Sequence, residues 1–296
     1  MGGKQYIESY FASESYRELD IRYNPEQQAL WCYLLPTSRP CCTSELLAEV
    51  QRLLHAIQRY ANYQKENDNQ KILRYLVIAS RTPGVFNLGG DLNLFLNHIR
   101  AGNHEGLYYY ARASIDIAYA SYHLPITTIA LVQGDAYGGG FEGALISRVL
   151  IAERQARMGL PDVLFNLFPL CAYNLLARRL DPARAERLVL SGRTYSAEEL
   201  HEIGVVDVLV ENGEGEKAVS AYIKKQNRAN NSYQAVHKVR QIIHPLNYDE
   251  LLEAAKIWLD AAMRLSERDL RVMERIAQSQ EKLVVFQPPA EVKQLA

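Results

Sequence analysis

The apolar positions of this chain change period along its length, and the changes mark out its elements. The run QQALWCYLLP (27–36) is compactly apolar and closes on Pro36, which predicts a strand. After Ser44, the residues Leu46, Leu47, Val50, Leu53, Leu54 and Ile57 recur at spacings of one, three and four, which predicts a helix over about 44–63. Residues 1–20 show no clear period and read as a lead-in, and YQKENDNQK (63–71) reads as a solvated loop. One pattern then occurs three times: an apolar β-rich run, a turn, and a helical run. The runs are ILRYLVIAS (72–80), ITTIALVQ (126–133) and RVLIAE (148–153). The turns are RTPGVFNLGGD, GDAYGGG and RQARMGLPD, followed by LNLFLNHIR, FEGALISR and VLFNLF. A helix-compatible stretch, 103–123, lies between the first two units. Repeated strand–turn–helix units predict an α/β protein with helices packed on sheets.

Beyond these units the chain becomes helical. Helices are predicted over 173–190 and over 196–203, where Ser196 and Glu199 form a capping box. A short strand and turn follow in 204–218, then a long helical run over about 248–280. A boundary near 215 divides the expected α/β core (1–215) from a helical region (216–296). One face of that region carries Leu251, Leu252, Ala255, Trp258, Leu259, Ala262 and Leu265, a stripe that must pack on the core or on a neighbouring subunit.

Composition removes several classes. With 33 Lys+Arg against 34 Asp+Glu the chain lacks the positive excess of a generic nucleic-acid or anionic-membrane binder. No stretch approaches the ~18 apolar residues of a membrane span, and the first twenty residues lack the apolar core of a signal peptide; a cytoplasmic protein is expected. Cys32, Cys41, Cys42 and Cys171 are too few for a disulfide framework and read as reduced thiols, with a catalytic thiol at Cys171 as the minor alternative. The seven histidines show no ligand spacing, so no metal is expected, and the expected chemistry calls for no cofactor.

Two glycine-rich turns, Gly89-Gly90-Asp91 and Gly138-Gly139-Gly140, each follow a strand and open a helix. Such turns serve tight strand–helix packing. Side by side, they also aim two N–H groups at one oxygen, the geometry that stabilises charge developing on a carbonyl. Glu142 sits in the apolar GGGFEGALI, as a buried ion-pair member or as a carboxylate whose raised pKa suits proton transfer. Asp162, in MGLPDVLFNLF, reads equally as a helix cap after Pro161 or as a second acid. Gly138, Gly140 and Gly143 also satisfy the dinucleotide-binding fingerprint. Its acid should close the next strand, whereas Asp162 follows a turn and a proline.

FNLGGDL (86–92), VQGDAYGGGFEGAL (132–145), MGLPDVLFNLFP (158–169) and LARRLDPARAERLVLSGRTYSAEELHEIGVVD (176–207), with the helical tail, together resemble the crotonase (enoyl-CoA hydratase/isomerase) superfamily. SRTPGVFNLGGDL, VLFNLFP and LDIRYNPEQQALWCYL are similar, more narrowly, to the diffusible-signal-factor synthases of bacterial quorum sensing. The resemblance implies a spiral of ββα units with a helical C-terminal region, an oxyanion hole at Gly90 and Gly139, and catalytic acids at Glu142 and Asp162. It puts Leu88, Gly89 and Gly138 beside the substrate, and Trp258 on an acyl channel. It further implies a 3-hydroxyacyl substrate on acyl carrier protein or coenzyme A, a homotrimer or hexamer, and a sensor protein as a further partner. The reaction implied is dehydration to the cis-2-enoyl thioester followed by its hydrolysis. Two departures stand out: the family's second acid is ordinarily Glu, not Asp162, and Leu170-Cys171-Ala172 replaces a glycine-containing phrase. Hydration or isomerisation of coenzyme A thioesters, and a regulatory protein with weak or no catalysis, are the other readings. Arg178, Arg179, Arg184 and Arg187 read as a solvated helix face more than as a carrier-docking patch.

Overall fold

The computed structural model describes residues 15–66 and 73–281, with Ile7, Tyr10 and Phe11; most of the expected lead-in (1–14), the end of the polar loop (67–72) and 282–296 lie outside the described residues. A hairpin of β1 (Leu19–Asn24) and β2 (Ala29–Leu34) leads into α1 (Ser44–Glu66). The first unit is β3 (Tyr75–Ser80), β4 (Val85–Asn87) and α2 (Leu92–Arg100), followed by α3 (His104–Tyr122). The second is β5 (Thr127–Val132), β6 (Asp135–Tyr137) and α4 (Gly139–Ile146). The third is β7 (Val149–Glu153), β8 (Arg157–Gly159) and a 3-10 helix (Pro161–Phe165). Then come α5 (Ala172–Leu176), α6 (Pro182–Ser191), β9 (Thr194–Ser196), α7 (Ala197–Glu202) and β10 (Val208–Val210). Four helices finish the described chain: α8 (Gly215–Arg228), α9 (Asn230–Ile243), α10 (Tyr248–Ala262) and α11 (Glu267–Glu281).

The units wind as a spiral because each contributes to two sheets. The longer strand of each pair joins a six-stranded sheet, β1-β2-β3-β5-β7-β10, while the short one joins a four-stranded sheet, β4-β6-β8-β9. The central parallel strands β5 and β7 are buried on both faces, which is why TTIALV and VLIAE read as unbroken apolar runs. Along β2 the alternation decides the layer. Trp31 and Tyr33 meet Val219 and Ile223 of α8 on one face. Leu30, Cys32 and Leu34 meet α1 residues such as Leu53 and Ile57 on the other.

Four expectations change in detail. Each predicted turn contains a second strand, VFN, DAY or RMG, and three residues are too few to show a period. The third unit closes in a five-residue 3-10 helix rather than an α-helix, ended by Asn166 in the left-handed conformation. The helix expected over 173–190 is two helices, because Asp181 caps the amide of Arg184 and Pro182 starts a new first turn. The run over 248–280 also breaks, at 263–266. There Ser266 and Asp269 exchange capping bonds of 2.9 and 3.3 Å at the start of α11. The Ser196–Glu199 capping box is formed as expected.

Candidate active site

The two glycine turns lie against each other. A Cβ placed on Gly139 would lie 3.5 Å from the amide nitrogen of Gly90. Each turn has a reason for glycine. Gly89 has φ +93°, and a Cβ there would sit 2.6 Å from the Tyr137 carbonyl oxygen; Gly138 has φ +48° and starts α4. The Gly89–Gly90 peptide is held from one side. Cys42 N–H donates to the Gly89 carbonyl at 2.7 Å, and in a trans peptide the N–H of Gly90 then faces the opposite way. Gly139 is the first residue of α4, so its N–H has no acceptor within the helix. Both residues line the same cavity.

More of the molecule braces this corner than the sequence suggested. Asn87 Oδ1 accepts from Gly89 N–H at 2.9 Å and from the Cys42 thiol at 3.3 Å. Tyr110 donates its hydroxyl to the Cys42 carbonyl at 2.7 Å and accepts from Asp91 N–H at 3.4 Å. From the far end of the chain, Gln280 of α11 donates to the carbonyls of Leu88 and Gly90 at 3.0 and 3.3 Å. None of these residues carries a sequence signal. Each acts through a contact between segments distant in the chain, and Gln280 looks like any polar position on an amphipathic helix.

Glu142 lines the cavity one turn into α4 and is only 7% exposed. Cys171 N–H donates to its Oε1 at 2.6 Å. Burial pushes the Glu142 carboxyl up, while the N–H groups of Cys171 and Ala172 pull it back towards the ionised form. The phrase Leu170-Cys171-Ala172 therefore supplies backbone donors to the acid even without glycine. Burial and the neighbouring Glu142 charge raise the Cys171 thiol well above its ordinary value, so it stays protonated at neutral pH, unlike a nucleophilic thiolate.

Asp162 is placed differently. It lies in the first turn of the 3-10 helix, whose N-cap is Leu160, so it is not the cap. Its Oδ2 is sealed from solvent and has no hydrogen-bond partner. The carboxyl lies behind Gly138, 3.2 Å from where a Cβ on that glycine would be. Burial first, and then the Glu142 charge, push it up to about 7. Unlike Glu142, it is not on the cavity wall, and neither are Leu88, Gly89 and Gly138.

The cavity, about 160 Å³, runs inward from the glycine turns. Trp258 is on its wall, edge-on to Phe95 with ring centroids 5.3 Å apart. Most of the deeper wall comes instead from α1 (Leu46, Val50, Leu53, Leu54) and α3 (Ser114, Ile117), with Leu76 and Ile78 of β3. The four arginines separate into two kinds. Arg184 is exposed, whereas the side chains of Arg178 and Arg179 are 14% and 4% exposed and donate to the carbonyls of Pro245, Asn174, Val205 and Ser147. For that pair, the solvated-face reading is replaced by a structural one.

Comparison with known proteins decides the family. The enoyl-CoA hydratase/isomerase family model matches residues 57–282. This chain belongs to that family. Its curated relatives include the mitochondrial methylglutaconyl-CoA hydratase of Rattus norvegicus, 34% identical over 157 residues, 51% of this chain and 47% of the relative. Cyclohexa-1,5-dienecarbonyl-CoA hydratase of Thauera aromatica is 37% identical over 90 residues, 30% of this chain and 35% of the relative. The chain thus spans about half, or less, of the length of these relatives. Among solved structures, a putative enoyl-CoA hydratase from Streptomyces avermitilis superposes with a TM-score of 0.73 at 18% identity, over 93% of this chain and 94% of that one. DspI from Pseudomonas aeruginosa superposes with a TM-score of 0.66 at 23% identity, over 88% and 98%. At these identities both neighbours speak for the fold, the expected ββα spiral with its helical C-terminal region. Among the described residues, no helix is long and apolar enough to cross a membrane.

Proposed function

We propose that this protein dehydrates a 3-hydroxyacyl thioester, carried on acyl carrier protein, to the cis-2-enoyl thioester and then hydrolyses it. The product would be a free cis-2-unsaturated fatty acid of the diffusible-signal type. The observation that carries the reading is the pairing of Glu142 with the two glycine amides at the mouth of a deep apolar cavity. The thioester oxygen sits between the N–H groups of Gly90 and Gly139, which stabilise the enolate formed when the α-proton leaves. Glu142, raised by burial and partly drawn back by two backbone donors, takes that proton as the carboxylate. The proton that leaves with the β-hydroxyl as water comes in this reading from Asp162, protonated up to about pH 7, which reaches the cavity when the turn at Gly138 moves aside. The exchanged states suit the second half-reaction. Asp162, now ionised, takes a proton from the attacking water, and Glu142, now protonated, delivers one to the leaving thiolate.

Residues 1–215 hold this machinery in this reading, and helices α8–α11 of the 216–296 region brace it through Gln280 and Trp258 while offering a surface for a homotrimer or hexamer. On α9, Val236, Val239, Ile242 and Ile243 are exposed, an apolar face suited to a second copy. A sensor of the released acid is the further partner of this reading. Hydration of coenzyme A thioesters is the second reading, favoured by the coenzyme A hydratases among its relatives. The position of Asp162 behind the wall favours the third, a binding protein with weak catalysis.

Incubation with matched 3-hydroxyacyl thioesters on carrier protein and on coenzyme A, followed by mass spectrometry, separates these. A free cis-2-enoic acid is expected. An esterified product formed only from coenzyme A supports the second reading. Absence of turnover, with Glu142→Ala no different from wild type, supports the third.

A further inference from the structure

The apolar cavity does not end in an apolar cap. α3 and α4 flank it, and both carry hydroxyls where they leave the catalytic corner. Gly139 and Ser147 are eight residues apart along α4 and its C-cap, which at 1.5 Å per helical residue is about 12 Å. At that distance Ser121, Thr128, Ile146 and Ser147 line both the main cavity and a second, small pocket of about 20 Å³. The second pocket is strongly basic: Arg148, Arg178, Arg179, Arg240 and His237 line it.

These cations are not equally engaged. The donors of Arg178 and Arg179 are committed to backbone carbonyls, and each has one carboxylate nearby, Glu250 at 3.7 Å and Asp207 at 3.0 Å. Among the described residues, no carboxylate pairs with Arg148. Its Nη1 donates to Thr127 Oγ1 at 2.9 Å and its Nε to His237 Nδ1 at 2.6 Å, so that imidazole nitrogen accepts and carries no proton. Its Nη2 is sealed from solvent without a partner. The same holds for the hydroxyl of Ser147, a residue only 3% exposed. A buried guanidinium donor and a buried hydroxyl, both unsatisfied beside an excess of positive charge, are costly unless something completes them. A carboxylate does so, since it accepts from both and balances the charge. The pocket is too small for a chain and takes about one polar group, so the head would sit where it joins the main cavity at Ser147.

We propose that Ser147 and Arg148 receive a carboxylate at the distal end of the acyl chain, so that the preferred thioester is one of a dicarboxylic acid. This rests on the reading of the main cavity as the acyl site. The unfolded or mis-seated variant is controlled by using two substitutions of different kind, Arg148→Met and Ser147→Ala, each checked by thermal melting.

Binding is measured by calorimetry with a pair of free 2-enoic acids of equal length, one ending in methyl and one in carboxylate. Glu142→Gln serves as the protein background, so no turnover is needed. The carboxylate-ended acid is expected to bind about 10- to 100-fold more tightly. Arg148→Met should erase that preference and leave the methyl-ended acid unaffected, and Ser147→Ala should reduce it about 5-fold. Equal or weaker binding of the carboxylate-ended acid to the unsubstituted pocket overturns the proposal. So does a preference that survives Arg148→Met, or acetate alone displacing neither acid while the preference is absent. If both acids bind with the expected preference but no thioester is turned over by wild type, the proposed reaction fails and the distal site stands.

Discussion

Glu142 and Asp162 are two acids driven towards the neutral form by burial, and the chain holds them in different ways. Glu142 rides on α4, projects into the cavity, and takes N–H groups from the segment at 171–172. Its position is fixed by a helix on one side and by backbone donors on the other. Asp162 sits on a single 3-10 turn, behind Gly138, with one oxygen sealed and unsatisfied. The difference shows that burial alone does not prepare an acid. Donors orient a buried carboxylate and oppose the upward push of burial, as at Glu142, while an oxygen left without one, as at Asp162 Oδ2, costs stability when ionised.

The sharpest break of this comparison is Glu142→Gln. The amide keeps shape and can still accept from Cys171 N–H, so the fold should persist while turnover of a 3-hydroxyacyl thioester falls about 10³-fold. Turnover within tenfold of wild type would sink the assignment.

Asp162→Asn tests the other half. The native carboxyl titrates at about 7 and the unfolded one near 3.9. Between these values the native state binds the extra proton, so wild type loses stability as pH rises from about 4 to 7. The asparagine does not titrate. Urea unfolding should therefore show the variant more stable by on the order of 2–4 kcal/mol at pH 8 and little changed at pH 4. In wild type, kcat/KM should decline above about pH 7 as the acid is lost, and that limb should disappear in the variant.

Asp162→Glu adds one methylene, about 1.5 Å of reach. If the acid falls short because it lies behind Gly138, this change should raise kcat/KM about tenfold. A fall instead would mean that Asp162 already reaches its proton-transfer position.

The smallest effect belongs to Tyr110→Phe. It removes the bond to the Cys42 carbonyl, and with it part of the hold on the Gly89–Gly90 peptide. A loss of about 1 kcal/mol in thermal melting and a three- to fivefold lower kcat with KM unchanged are expected.

Where side-chain period and local chemistry suffice, the sequence was legible. The apolar runs at 72–80, 126–133 and 148–153, the helix beginning at Ser44 and the Ser196–Glu199 box each follow from residues within one turn or strand of one another. The two glycine turns and Glu142 were legible for the same reason, because glycine clusters and an acid in an apolar run are local anomalies. The second strand of each unit was not, since VFN, DAY and RMG are defined by their partners in the small sheet.

What the sequence by itself determined is the alternation of strands and helices, the glycine turns, and which acids stand among apolar neighbours. These depend on backbone propensity and short-range burial. Only the tertiary structure decided that Gly90 and Gly139 share one wall, that Cys171 N–H meets Glu142, and that Asp162 stands behind Gly138. It alone showed that Gln280, 190 positions from Gly90, holds that residue's carbonyl. Such relations are set by how the spiral stacks one unit upon the next, and no spacing along the chain encodes a distance across it.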